Sequence, residues 1–162
     1  MARINLYFES CDRENMNKTF VSELKLVKAT KSDYRFIYEI VKDWLEKFEH
    51  SVTVLRIPSF SKYFRTKSTR YIIKKGSTRI GFVQILDNNE VGYYLIPEFQ
   101  GIGIGTWAVV QLMKMQPRQR YFATINKKNI ASVKLITKLG FQPKGIIYEK
   151  IIKKHRKRKK TK

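Results

Sequence analysis

The 162-residue chain is predicted to fold as an α/β protein built on one core. Three observations carry that prediction. Short stretches with a two-residue apolar period alternate with stretches of helical period. Hydrophobic residues make up 43% of the chain, with ten Phe and nine Tyr, which is enough for a core and too much for a disordered chain. A glycine-dense segment, Gln100, Gly101, Ile102, Gly103, Ile104, Gly105 and Thr106, separates an apolar aromatic stretch from an apolar-periodic one, as a strand-to-helix turn would.

Residues 1–18 carry weak periodicity and read as an N-terminal extension. The folded domain is expected over 19–152, with a basic tail at 153–162. Residues 20–29 alternate, with Leu24 and Leu26 on one side, and read as the first strand. Ser32 is positioned to cap the next helix. There Phe36, Ile37, Ile40, Val41, Trp44, Leu45 and Phe48 recur at helical spacing opposite a charged face.

Residues 56–67 hold Pro58, Ser59 and Ser61 among aromatics and predict a short helix or lid. Residues 71–75, the pair Gly76 and Ser77, and residues 79–86 read as a hairpin. Asp87, Asn88 and Asn89 form a second turn into a strand that opens at Glu90. A helix from Ile104, a strand over 120–125 and a helix over 129–139 follow, the last ended by Gly140. Pro143 and Gly145 make a bend before a final strand over 146–152.

The formal net charge is +21, and eight of the last ten residues are Lys or Arg. Such a block repels itself and reads as a solvated tail. A basic surface gives sequence-independent affinity for phosphates, so non-specific contact with nucleic acid or ribosomes through the tail is one expectation. The single Cys11 excludes an internal disulfide framework, and His50 and His155 are the only histidines. Neither a zinc site nor a Cys–His nucleophile is expected, so no metal is called for. No apolar run approaches the length of a membrane span and no signal-peptide pattern opens the chain, so a cytoplasmic protein without membrane contact is expected.

The glycine segment points to a phosphorylated cofactor. Glycines let the backbone approach a bulky anion, and the unpaired N–H groups of a helix's first turn can face it. A nucleotide P-loop needs Lys after its last Gly, but Thr106 and Trp107 follow Gly105. A dinucleotide fingerprint needs G-x-G-x-x-G and a later acidic residue. The glycines here alternate, and the region near residue 125 offers Thr124, Ile125 and Asn126.

The spacing Q-x-x-G-x-G, on Gln100, Gly103 and Gly105, resembles the pyrophosphate motif of the GNAT superfamily of acetyl-CoA-dependent N-acetyltransferases. The run from Glu90 to Thr106 is similar to the fourth strand and following loop of the branch that includes acetyltransferases of ribosomal-protein N-termini. A second block, Asn129 with Ser132 and then Gly140 with Phe141, resembles the family's N-x-x-S and helix-ending Gly-Phe. The resemblance covers roughly residues 22–152.

This resemblance implies a GNAT fold, in which a central, mixed and largely antiparallel sheet is flanked by helices and the fourth and fifth strands splay to hold acetyl-CoA. It implies that Leu95 and Ile96 offer backbone groups to the pantetheine arm. Gln100, Gly101, Ile102, Gly103, Ile104, Gly105 and Thr106 would hold the pyrophosphate through amides, and Asn129 would contact the arm near the thioester. Glu90 is the candidate base and Ser132 the candidate donor to the leaving thiolate, with Tyr93 and Tyr148 as other conceivable donors. In many family members a Tyr stands seven residues after the Asn, but Ile136 occupies that position here and cannot donate a proton. Trp107 replaces a Glu frequent in the branch.

The implied activity is an N-acetyltransferase that uses direct attack in a ternary complex. Its acceptor is a primary amine, with a protein N-terminus or Lys favoured, and the protein is a monomer or homodimer. The alternative is a basic nucleic-acid- or ribosome-binding protein on a GNAT scaffold with weak or no catalysis.

Overall fold

Among the described residues, four antiparallel strands lie in the order β1 to β4, each beside its sequence neighbour. They are β1 (Leu24–Lys28), β2 (Ser68–Lys75), β3 (Thr78–Leu86) and β4 (Val91–Leu95). The computed structural model describes residues 18–47 and 57–145. Residues 1–17 of the N-terminal extension expected over 1–18, His50, the final strand over 146–152, Tyr148 and the basic tail lie outside the described residues.

Helix α1 (Lys18–Ser22) precedes β1, so Phe20 to Ser22 are helical and the expected strand begins only at Leu24. Phe20 packs on the core and its ring sits 4.2 Å from Lys75 Nζ, contacts that a turn of helix supplies and an edge strand would not. After β1, a 3-10 turn (Lys31–Asp33) leads into α2 (Tyr34–Lys47). Ser32 lies inside that turn. The entry is organised instead by Asp33, whose Oδ2 accepts from Thr30 N at 2.9 Å and from Thr30 Oγ1 at 3.0 Å. A buried carboxylate that reaches back to the turn's entry satisfies an orphan N–H, which an exposed Ser32 cannot.

A short helix, α3 (Phe60–Tyr63), fulfils the expectation for 56–67. The β2–β3 turn uses Gly76 at φ +58°, the positive value that a two-residue hairpin loop demands. At the next turn Asn89 takes φ +68°, and Asn88 Oδ1 accepts from Glu90 N at 3.0 Å. These short polar side chains tolerate the left-handed region and hold the turn that aims β4.

Beyond β4 come a 3-10 turn (Pro97–Phe99), α4 (Ile104–Met115) and α5 (Ile130–Lys138). Alternation along the strands divides the core. Tyr71, Ile73, Val83, Ile85 and Val91 pack with Ile104, Ala108, Val109 and Leu112 of α4 on one face. Ile72 and Phe82 pack with Ile37, Ile40 and Val41 of α2 on the other.

The strand expected over 120–125 is reduced to one parallel bridge between Glu90 and Phe122. Val91 N donates to Phe122 O at 2.8 Å, and residues 123–126 form no bridge. Chain and strand part there, so among the described residues β4 is open along that edge. Among the described residues, no helix is long and apolar enough to cross a membrane.

Candidate active site

The open edge of β4 begins at Glu90, and the register shows which backbone groups it presents. Leu86 N donates to Glu90 O, and Ile96 N donates to Ile80 O at 3.0 Å. Gly92 and Tyr94 therefore turn their backbone groups to β3, as do the Glu90 carbonyl and the Ile96 N–H, and residues 91, 93 and 95 turn theirs to the other edge. Val91 spends its N–H on Phe122, which leaves Tyr93 and Leu95 facing the gap. Of the two residues expected to offer backbone groups, Leu95 stands on the gap, whereas the N–H of Ile96 is committed to β3.

At the end of the gap lies the glycine turn. Gln100 Nε2 donates to Leu95 O at 2.8 Å and ties the turn to the strand. Gly101 and Gly103 take φ +76° and +89°, values that side chains adopt with difficulty. Gly103 is the N-cap of α4 and has no side chain with which to cap it. The first-turn N–H groups of Ile104, Gly105 and Thr106 are thus available to an anion, reinforced by the helix dipole. Thr106 is buried and Ile102 is exposed at the tip. A cavity of about 160 Å³ lies between α2 and this end of β4, with Leu95, Ile96, Pro97 and Gln100 on one wall and Glu39 and Asp43 on the other.

Gly105 has a second task. A Cβ there would stand 2.9 Å from Leu135 Cδ1 and 3.6 Å from the Tyr93 ring. The missing side chain lets α5 close onto α4 and brings Ser132 over β4. Asn129 is the N-cap of α5, and its Oδ1 accepts from Ser132 N at 3.1 Å. Its Oδ1 therefore serves the helix, and only Nδ2 remains for a ligand. Burial pushes the Tyr93 phenol up, and the nearby Ser132 hydroxyl offsets part of the rise. Their geometry does not amount to a hydrogen bond, and Tyr93 Oη is buried without a partner among the described residues. Ile136 is buried in the core, which explains why this helix position carries no donor.

Glu90, Gly92 and Tyr94 share the α2 face of β4. Tyr94 stacks on Phe82, with centroids 5.0 Å apart, and meets Trp44 edge-on. Burial pushes the Tyr94 phenol well up, and the charges of Tyr63 and Glu90 add to the rise. Tyr63 and Phe64 flank the Arg70 guanidinium at 5.3 and 5.0 Å. Arg70 was not singled out from the sequence. Its only local signal was a cation inside an apolar strand.

Residues 23–142 match the family model described as an acetyltransferase (GNAT) domain. The chain belongs to the GNAT acetyltransferase family. Acetyl-CoA as cosubstrate is consistent with that membership. No curated protein matches by sequence.

Solved structures agree with the GNAT fold. RimL, a ribosomal L7/L12 α-N-protein acetyltransferase in complex with coenzyme A, is 20% identical with a TM-score of 0.60, covering 76% of this chain and 82% of that one. A GCN5-related N-acetyltransferase from Kribbella flavida is 15% identical with a TM-score of 0.66, over 78% and 87% of the two chains. MccE, the microcin C7 self-immunity acetyltransferase in complex with acetyl-CoA and AMP, is 21% identical with a TM-score of 0.61, over 80% and 84%. At these identities the likeness is one of fold.

Proposed function

We propose that this GNAT acetyltransferase moves an acetyl group from acetyl-CoA to a primary amine by direct attack in a ternary complex, with a protein N-terminus or lysine as the favoured acceptor. The observation that carries this reading is the open edge of β4 running into the uncapped N-terminus of α4. The residues fit the coenzyme: Tyr93 and Leu95 have backbone groups for an amide-bearing arm, and the amides from Gly101 to Thr106 suit a diphosphate. Bound there, acetyl-CoA supplies an activated acyl thioester.

The acceptor must arrive as a neutral amine. An α-amine, with a pKa near ~7.7–8.0, loses its proton far more readily at neutral pH than a lysine near ~10.4. In this reading Glu90 takes that proton, directly or through water. The amine nitrogen forms a bond to the acyl carbon as the carbon–sulfur bond breaks. Backbone N–H groups on the β4 edge stabilise the oxyanion. Ser132, with Tyr93 beneath it, returns a proton to the departing thiolate.

Calorimetry with coenzyme A tests the cofactor half, and thiol release with a panel of amines tests the transfer. Absence of saturable heat at millimolar coenzyme would sink the reading. A second reading, a nucleic-acid- or ribosome-binding protein on this scaffold, is favoured by the net charge of +21 and by Ile136 in place of a donor. Tight, salt-dependent RNA binding without thiol release would select it. Thiol release that survives removal of residues 153–162 would select the enzyme.

A further inference from the structure

Arg70 on β2 is buried, with 8% of its surface exposed. Its Nε donates to Gln84 Oε1 at 3.1 Å, and the rings of Tyr63 and Phe64 cover the guanidinium. No carboxylate lies within ion-pair distance of it among the described residues. The rings and a neutral amide recover only part of what a cation loses on leaving water. Gln84 takes Nε and the Tyr63 hydroxyl lies close to the guanidinium, and the planar, two-oxygen partner that the remaining in-plane donors match best is a carboxylate.

The surroundings point the same way. The register sets Arg70, Gln84 and Gly92 in one row across the α2 face. In the next row Ser68 lies opposite Leu86, which in turn bonds to Glu90. Ser68 Oγ is buried and has no partner among the described residues. At Gly92 a Cβ would press on Gln84 Nε2 at 3.2 Å, so the absent side chain keeps the Gln84 amide facing β4. The row spans two strand spacings, about 10 Å, from the Arg70 guanidinium to the strand that carries Glu90.

We infer that this cluster selects the acceptor, and that Arg70 receives a carboxylate carried by the acceptor close to its reacting amine. The inference rests on the transferase reading and adds a substrate class to it. The carboxylate belongs either to an acidic side chain at the start of a peptide or to a free amino acid.

The test is thiol release from acetyl-CoA by the full chain with two matched acceptor pairs: a peptide beginning Ser-Asp against one beginning Ser-Asn, and a free amino acid against its amide. In one pair the acidic member is expected to show at least tenfold higher kcat/KM, and the pair that does so identifies the source. Arg70→Met is expected to bring that ratio close to one. Gln84→Glu places an internal carboxylate on the same Nε and is expected to erase the ratio as well, with coenzyme A binding retained as the check on folding. Equal use of both members in both pairs would overturn the inference while transfer itself stands. A ratio that persists in Gln84→Glu would overturn it too. Release with no amine at all would remove the transferase reading and this inference together.

Discussion

Gly105 of α4 and Leu135 of α5 meet with no room for another carbon: a Cβ at 105 would stand 2.9 Å from Leu135 Cδ1. This contact sets how closely the helix bearing Ser132 approaches the strand bearing Tyr93. Gly105→Ala gains about 1 kcal/mol of helix propensity but overpacks by about 1–3 kcal/mol. The obstacle is the end of a flexible side chain, so a net loss near ~1 kcal/mol is expected. Trimming Leu135 to Ala in the same protein should recover the overpacking share in a double-mutant cycle by urea denaturation. Gly81→Ala, whose Cβ would collide with the Tyr94 carbonyl oxygen, should cost more, about 3 kcal/mol, because backbone cannot step aside.

Tyr93→Phe separates stability from activity. Among the described residues the phenol oxygen is buried without a partner, so its removal should leave stability unchanged or raise it by about 1–2 kcal/mol. If the hydroxyl backs proton return through Ser132, kcat falls by about tenfold or more in the same variant. Thermal melts and steady-state kinetics measure the two arms. A stabilised variant with full kcat would exclude Tyr93 from the chemistry.

Glu90→Gln should lower kcat by about 10²–10⁴ with coenzyme A affinity retained. The side chain is half-buried, and its backbone is fixed by Asn88 and Leu86, so the change leaves the strand start in place. Raising the pH should restore part of the loss, since the acceptor then arrives deprotonated without help.

Gln100→Ala removes the 2.8 Å bond that ties the glycine turn to Leu95 O. One neutral hydrogen bond is worth about 0.5–1.5 kcal/mol, so the coenzyme A dissociation constant should rise roughly three- to tenfold. Gln100 is exposed, and the melting temperature should fall by no more than a few degrees.

Asp33 makes stability depend on pH. Burial works to raise its pKa, but the Thr30 backbone and hydroxyl bonds and the Arg79 ion pair outweigh that and hold the carboxyl below its ordinary value. A depressed pKa in the folded state contributes stability that is present above the unfolded value, near ~3.9, and lost as pH falls through the folded one. Asp33→Asn should therefore cost about 1–2 kcal/mol at neutral pH. The gap to the parent protein should close below about pH 4 in denaturant titrations.

Local patterns were readable where their cause is local. Helical spacing gave α2, and the Gly76 and Asp87–Asn89 turns gave the strand boundaries, because side-chain period and φ preference act within a few residues. The glycine turn was readable for the same reason. Helix α1 was missed because its packing on the core and the Phe20–Lys75 contact come from a strand far along the chain. Ser32 reads as the cap because a hydroxyl before a helix is the common signal. The buried Asp33, held by Arg79 from 46 residues away, could not be weighed without the fold.

The sequence by itself determined the alternation of strand and helix, the glycine bend with its bare amides, and the family pattern, since each depends on the order of neighbouring residues. Only the tertiary structure decided that Tyr93 and Leu95 face the gap, that Ile96 does not present its N–H, and that Arg70, Gln84 and Gly92 form a row. Those facts follow from strand register and from the face each side chain takes, and both are fixed by pairing between segments that lie far apart in the chain.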